Sequence, residues 1–390
     1  MTTARPVDPT QRILSIDALR GIALFGILLI NIPDMGGPIA MDRPITVPTI
    51  GDPDWQVWTI SQLFITGTMR GLFSMLFGVG LMLFLRHEGE QGGAGRQRLY
   101  LRRLAWLFLF GVIDSTLLLW PGDILLIYAM AGLVLLPLRR REPTQLWGAA
   151  LVILLLLSFW AAFEGSTLTY GDVTYSSAMI AREGAARLGG YGANLAYMMV
   201  VSWAWTVNAF TLRWIGDAAA FMLVGMAIHR SGLFHRDVSV KLLRRLAILA
   251  YAAGLALRTI HTVLILAHEG VPTNLSSFID QPGRLAMTLG HLFLFLLLWR
   301  SSDFQRVMRP FASAGRMALT LYLGQSIAGA LIFAGFGLAL WNSLSWPQLW
   351  AIATLVFAAQ LLFAHLWFSR FRYGPMEWLW RWGTYGRRPG

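Results

Sequence analysis

The sequence predicts an all-α, polytopic membrane protein of about ten transmembrane helices. Three observations predict it. Hydrophobic residues make up 56% of the 390 residues and charged residues only 13%, about half the charged share of a soluble domain. Apolar runs of about 17–25 residues recur along the chain, the length at which a helix crosses a hydrocarbon core of roughly 30 Å. Basic residues are concentrated in alternate loops. Lipid tolerates an apolar surface that water would not, so few charges are needed.

Taken in order, the runs lie near 14–33, 64–85, 104–120, 123–138, 146–163, 213–229, 246–266, 284–299, 312–336 and 347–368. The first holds Asp17 and Arg20 and reads as a spanning helix, not a cleavable signal. Pro121-Gly122 joins the third and fourth by a tight turn. Segment 187–212 is rich in Trp and Tyr and reads as an interfacial helix or an extension of the sixth span. The chain thus divides into an N-terminal membrane half (1–163), an extracytoplasmic or interfacial segment (164–212) and a C-terminal membrane half (213–390).

Charge placement orients the bundle. The N-terminus, the tail and loops such as Arg139-Arg140-Arg141 carry 23 basic residues, against Arg43, Arg182 and Arg187 on the opposite side. The basic side is therefore expected in the cytoplasm, with both termini there. This topology accounts for the net charge of +12 without nucleic acid. Zero cysteines exclude disulfides, thiol catalysis and Cys-ligated metals. No metal site is expected.

An internal repeat is visible. Leu101-Arg102-Arg103-Leu104-Ala105 matches Leu243-Arg244-Arg245-Leu246-Ala247, and Pro121-Gly122 matches Pro282-Gly283, each reading as the lead-in to a span. Segments 76–86 and 221–230 are also alike. This predicts two parallel-repeat bundles, spans 2–5 and 6–9, flanked by the first and last helices. Membrane carriers built this way hold their site between the halves.

Ionisable side chains within spans are costly and mark function or pairing. One set lies toward the outer half: Arg70, Asp114, Asp123, Arg213, Asp217, Arg258, His261, Arg284 and His291. His261, His291 and Asp114 are the candidate bases. The arginines, Asp123, Asp217 and Asn31 would line a cavity. Internal ion pairing is the competing reading, for instance Arg213 with Asp217 one turn away. A second set, Asp17, Arg20, Arg316 and Glu377, is expected to latch the first and last helices at the cytoplasmic end.

Five segments resemble the YeiB-like family of bacterial inner-membrane proteins, which ends in a domain of unknown function: SIDALRGIALFGILLIN (15–31), RGLFSMLFGVG (70–80), PGDILLIYAMAG (121–132), GRMALTLYLGQS (315–326) and RYGPMEWLWR (372–381). Through IDALRGIA (16–23) the family more distantly resembles transmembrane acyltransferases that move acyl groups from cytosolic acyl-CoA to an extracytoplasmic acceptor. Many of those enzymes have a functional His where this chain has Asn31. The resemblance implies an acyltransferase-like protein using acyl-CoA as donor, with His291, His261 or Asp114 as base. The Arg/Asp layer and the repeat suggest instead a carrier of a small anionic or amphipathic metabolite. A lipid-binding or purely structural protein is the third option. The oligomeric state is left open, a homodimer being one option.

Overall fold

The computed structural model describes residues 14–39, 43–49, 51–85, 93–166, 176–206, 208–234, 238–386 and 388. Among them are sixteen helices. In chain order they are α1 (Leu14–Gly36), α2 (Pro53–Phe64), α3 (Thr68–Leu85), α4 (Gly93–Ser115), α5 (Leu125–Leu138), α6 (Pro143–Gly165), α7 (Ser177–Arg187) and α8 (Tyr191–Thr206). Then follow α9 (Ala209–Arg230), α10 (Val240–Ala267), α11 (Asn274–Leu298), α12 (Ser302–Val307), α13 (Arg309–Arg316), α14 (Ala318–Phe333), α15 (Trp346–Phe368) and α16 (Pro375–Tyr385).

Each of the ten expected runs falls on its own helix or broken helix. Among the described residues seven segments are long and apolar enough to cross a membrane, and the bent pair α13–α14 makes an eighth if it is one span. The remaining two runs correspond to α4, whose first half carries Arg96, Arg98, Arg102 and Arg103, and to α5, an apolar helix of only 14 residues. The lipid-facing helices are recognisable from their bare apolar rows. Leu156, Phe163, Ile248, Leu355 and Leu362 are all exposed on α6, α10 and α15, a pattern tolerable only against hydrocarbon.

α9 is the central helix. Every residue from Ala218 to Ile228 is buried, and it packs on α3, α5 and α6. Its approach to α3 is reciprocal. Gly78 lies against the Met222 carbonyl, and Gly225 against the Met75 carbonyl. Arg70 meets Asp217 near the N-terminal ends of the same two helices, so α3 and α9 run parallel. The packing of α3 on α11 mirrors that of α9 on α5, and α4 pairs with α5 as α10 does with α11. α6 packs against α9 and α11.

Three expectations change in detail. Pro282 sits inside α11 and does not precede it. That helix starts at Asn274, behind a capping box between Thr273 and Ser276, which brings Asp280 into the span. The ninth span is broken, with α13 and α14 bent by 85° at Met317. Segment 187–212 divides between the end of α7, a separate helix α8 and the start of α9.

The bend in α13–α14 is held by contact with α1. Gly315 lies against the Asp17 carbonyl, and Gly21 against the Phe311 carbonyl. A side chain there would collide with backbone, which cannot yield. Small residues at such crossings let membrane helices touch. Gly315→Val is expected to destabilise the protein by about 2–3 kcal/mol, read as a lower unfolding temperature in detergent. Gly148→Val, where a Cβ meets open space, should change it little.

Candidate functional site

Two polar regions and a large cavity mark the bundle among the described residues. The first region gathers most of the outer-half charges. Arg284 reaches Asp217 at 3.0 Å and Arg70 reaches the same carboxylate at 3.4 Å. Arg258 pairs with Asp280, which also lies 3.8 Å from both Arg284 and His261. Arg213 pairs with Glu164 on α6 at 2.6 Å, not with Asp217.

In the core of this layer three guanidinium groups thus face two carboxylates, and backbone carbonyls share the load. The chain turns between α2 and α3, with Gly67 at φ +72°. Arg258 donates to the carbonyls of Gln62 and Thr66 and to Gln62 Oε1, and Arg284 to the carbonyl of Gly67. A Cβ on Gly67 would strike the Arg284 guanidinium. Arg70 also stacks over Trp214 at 4.1 Å.

Both histidines are engaged. His291 Nδ1 meets the Tyr251 hydroxyl and Nε2 the Phe64 carbonyl, each at 2.8 Å. A neutral ring with its proton on Nε2 satisfies both contacts, with Tyr251 donating. His261 Nδ1 donates to the Ser276 carbonyl at 2.8 Å.

The second region is a carboxyl pair. Asp114 ends α4, and Asp123 caps α5 by accepting from the Leu126 N–H at 2.8 Å. The two carboxyls adjoin, with Ser326 beside Asp114 and Tyr322 beside Asp123. Tyr322 accepts from the Ile124 N–H. Asp123 and Arg284, which directly follow the matching Pro121-Gly122 and Pro282-Gly283, serve different partners.

A cavity of about 240 Å³ opens toward the basic side. Phe73, Phe77, Leu81, Phe84, Leu104 and Leu107 form apolar walls. Tyr128, Ile124 and Tyr322 line it near the carboxyl pair, while Arg20, Arg103, Arg316, Arg381 and Glu377 also line it. Arg103 is held by aromatic faces, at 4.0 Å over Trp380 and 4.9 Å over Phe84. Arg316 stacks on Phe368 at 3.9 Å. Arg20 pairs with Asp17 at 3.0 Å.

The helix break borders this cavity through Gly315, Arg316, Ala318 and Leu319. Glu377 closes the exposed helix end. It accepts from the N–H groups of Leu319 and Thr320, at 2.8 and 3.1 Å, and from the Thr320 hydroxyl at 2.6 Å. Burial raises the Glu377 carboxyl above its usual range, and these donors oppose the rise. So Glu377 fastens α16 to α14. Asn31 is half-buried on α1.

Sequence reasoning passed over Asp280, Gln62, Glu164, Tyr322 and Ser326. Asp280 was hidden because Pro282 read as a helix boundary. The other four are ordinary residues whose roles come from tertiary neighbours. The spacing of Tyr322 and Ser326, one turn apart in a span, was the available signal.

Residues 228–387 match a protein family of unknown function, DUF418. Over nearly its full length the chain is similar to the protein YxaH of Bacillus subtilis (strain 168), at 30% identity covering 99% of this chain and 97% of that one. It is 29% identical to YeiB of Escherichia coli (strain K12), covering 95% and 96%. A 39.9 kDa protein encoded in the amylase 3′ region of Bacillus acidopullulyticus is 26% identical over 98% and 96%.

The ion-pair layer makes a sharp demand on Asp280. Asp280→Ala leaves Arg258, fully buried, without its carboxylate. A stability loss of about 3–5 kcal/mol is expected, seen as a lower unfolding temperature in detergent. Asp303→Ala, which removes an exposed pair with Arg306, should cost under about 1 kcal/mol.

Proposed function

We propose that this chain, which belongs to the YeiB-like family of membrane proteins, binds a small amphipathic anion in the cavity on its basic side and passes it across the membrane. The observation that carries this reading is the cavity itself. Apolar walls suit an alkyl or acyl chain, and the arginines of the lining, Arg103, Arg316 and Arg381 beside the Asp17-paired Arg20, suit an anionic head. By the positive-inside rule the arginine-lined end faces the cytoplasm of the bacterial inner membrane.

The broken helix supports passage over static binding. Discontinuous spans beside a site are a recurring feature of carriers, because a helix interrupted there can rearrange around its ligand. The parallel packing of α3–α5 and α9–α11 has the same precedent. The arginine–carboxylate layer then acts as a scaffold that locks α3, α9, α10 and α11 together.

Acyl transfer is the second reading. The cavity would accept the acyl chain and phosphates of an acyl-CoA. It draws less support, because no histidine among the described residues lines the cavity. The contacts of His291 occupy both its ring nitrogens, and His261 lies in the ion-pair layer. Asp114, the remaining candidate base, stands beside another carboxyl.

Purified protein in a maltoside detergent tests the reading with octyl phosphate as probe. Saturable quenching of tryptophan fluorescence is expected with octyl phosphate and none with a neutral octyl ether of glycerol. Arg103→Gln combined with Arg381→Gln should weaken binding at least about tenfold, the scale of losing one charge-assisted contact. Equal responses to the charged and neutral probes would refute it. If octanoyl-CoA binds and its octanoyl group becomes attached to the protein, acyl transfer replaces carriage.

A further inference from the structure

The carboxyl pair lies between two cavities. Tyr322 and Ile124 adjoin Asp123 and line the larger one. Ser326 adjoins Asp114, Trp120 donates its backbone N–H to the Asp114 carbonyl, and both residues line a second cavity of about 20 Å³. That volume admits a water molecule. The small cavity is also lined by Arg187 and Asn194 on α7 and α8, which the charge distribution along the sequence puts on the side opposite the basic loops. Tyr322 and Ser326 stand one turn apart on α14, so one helix face spans both cavities with the two aspartates beside it.

The pair itself is unusual. Asp114 is 0% exposed and Asp123 8%. Hydroxyls stand close, Ser326 to Asp114 and Tyr322 to Asp123, but among the described residues no hydrogen bond of good geometry reaches either oxygen of Asp114 or Oδ1 of Asp123. The groups that face the pair are Ser326 and Tyr322 of α14 and the N–H groups of Leu125 and Leu126 of α5, none of them cationic. Beyond them, Arg187 in the small cavity is paired with Glu183 at 2.8 Å. Two neighbouring carboxylates in a low-dielectric site cannot both carry charge. A proton on one of them supplies the missing donor, since a carboxylic acid can give a hydrogen bond to its neighbour.

We propose that Asp114 and Asp123 form a proton-binding site at the constriction between the two cavities, and that proton exchange there is coupled to passage of the anion in the larger one. The coupling rests on the carrier reading above. A proton arriving from one cavity joins a carboxylate oxygen and forms the O–H of a carboxylic acid. It is shared across the pair and leaves from an oxygen to water in the other cavity. The carboxylate is regenerated, and no electrons or other bonds change. Binding the anion beside Tyr322 favours the protonated pair, because a second negative charge near Asp123 raises the cost of ionising it. Release of the anion reverses that bias, and this mutual preference is the coupling.

The test has two parts. Infrared spectroscopy of the purified protein at neutral pH should show the carbonyl band of a protonated carboxylic acid. That band should disappear in both Asp114→Asn and Asp123→Asn and persist in Glu377→Gln. A band unaffected by both substitutions would overturn the site. Proteoliposomes loaded with pyranine should then report a change of internal pH when octyl phosphate is added outside. In Asp114→Asn the signal should fall to the leak of protein-free vesicles, while octyl phosphate still quenches tryptophan fluorescence. An undiminished pH response in both Asn variants would overturn the coupling, as would a wild-type protein that binds octyl phosphate without moving protons. A wild type that shows the carboxylic acid band but binds no octyl phosphate would sink the carrier reading and leave the proton site standing.

Discussion

A charge placed at membrane depth costs several kcal/mol unless the protein answers it, and this constraint shapes both polar regions of the bundle. In the layer around Arg258 and Arg284, arginines outnumber carboxylates. The shortfall is met by backbone: the α2–α3 turn frees carbonyls at Gln62, Thr66 and Gly67, and those oxygens accept from the two guanidinium groups. Around Asp114 and Asp123 the imbalance is reversed. Carboxyls stand together without a cation among the groups that face them, and a proton is the economical answer. On the proposal made here, the first region holds the helices still and the second exchanges a proton.

Helix packing decides where the empty space lies. α1 and α13 touch backbone to backbone, as do α3 and α9, because glycines sit at the crossings. α14 leaves that contact at an angle of 85°. The cavity lies where α1, α3, α4, α5, α14 and α16 leave space between them, lined by long apolar and arginine side chains. Glu377 then ties α16 across the broken end of α14, so α16 helps shape the cavity. Trp380 adds to this by donating to the Arg103 carbonyl at 2.9 Å while its ring supports the Arg103 guanidinium.

Much of this was legible in the sequence, and the losses have physical causes. Hydropathy found every run that becomes a spanning helix, since crossing a bilayer imposes a length and an apolarity that no tertiary context overrides. The ionisable residues in the spans were legible for the same reason. Their partners were not. Arg213 reaches Glu164 across to α6, and Asp217 serves Arg70 and Arg284, because helix neighbours are set by packing that spacing does not encode. Asp280 was lost to Pro282, which reads as a boundary but sits within α11. The cavity emerges from the bend at Met317 and from Glu377, neither of which leaves a periodic signature. Asp114 and Asp123 were both visible, but only the α4–α5 turn makes them a pair.

The central claim is that an amphipathic anion occupies the cavity on the basic side. A cryo-EM map of the protein in lipid nanodiscs, prepared with a brominated alkyl phosphate, addresses it directly. The account predicts head-group density between Arg103 and Arg381, and chain density among Phe73, Phe77 and Leu107. A map in which those side chains close on one another, with the alkyl phosphate found only in the surrounding lipid, would contradict it.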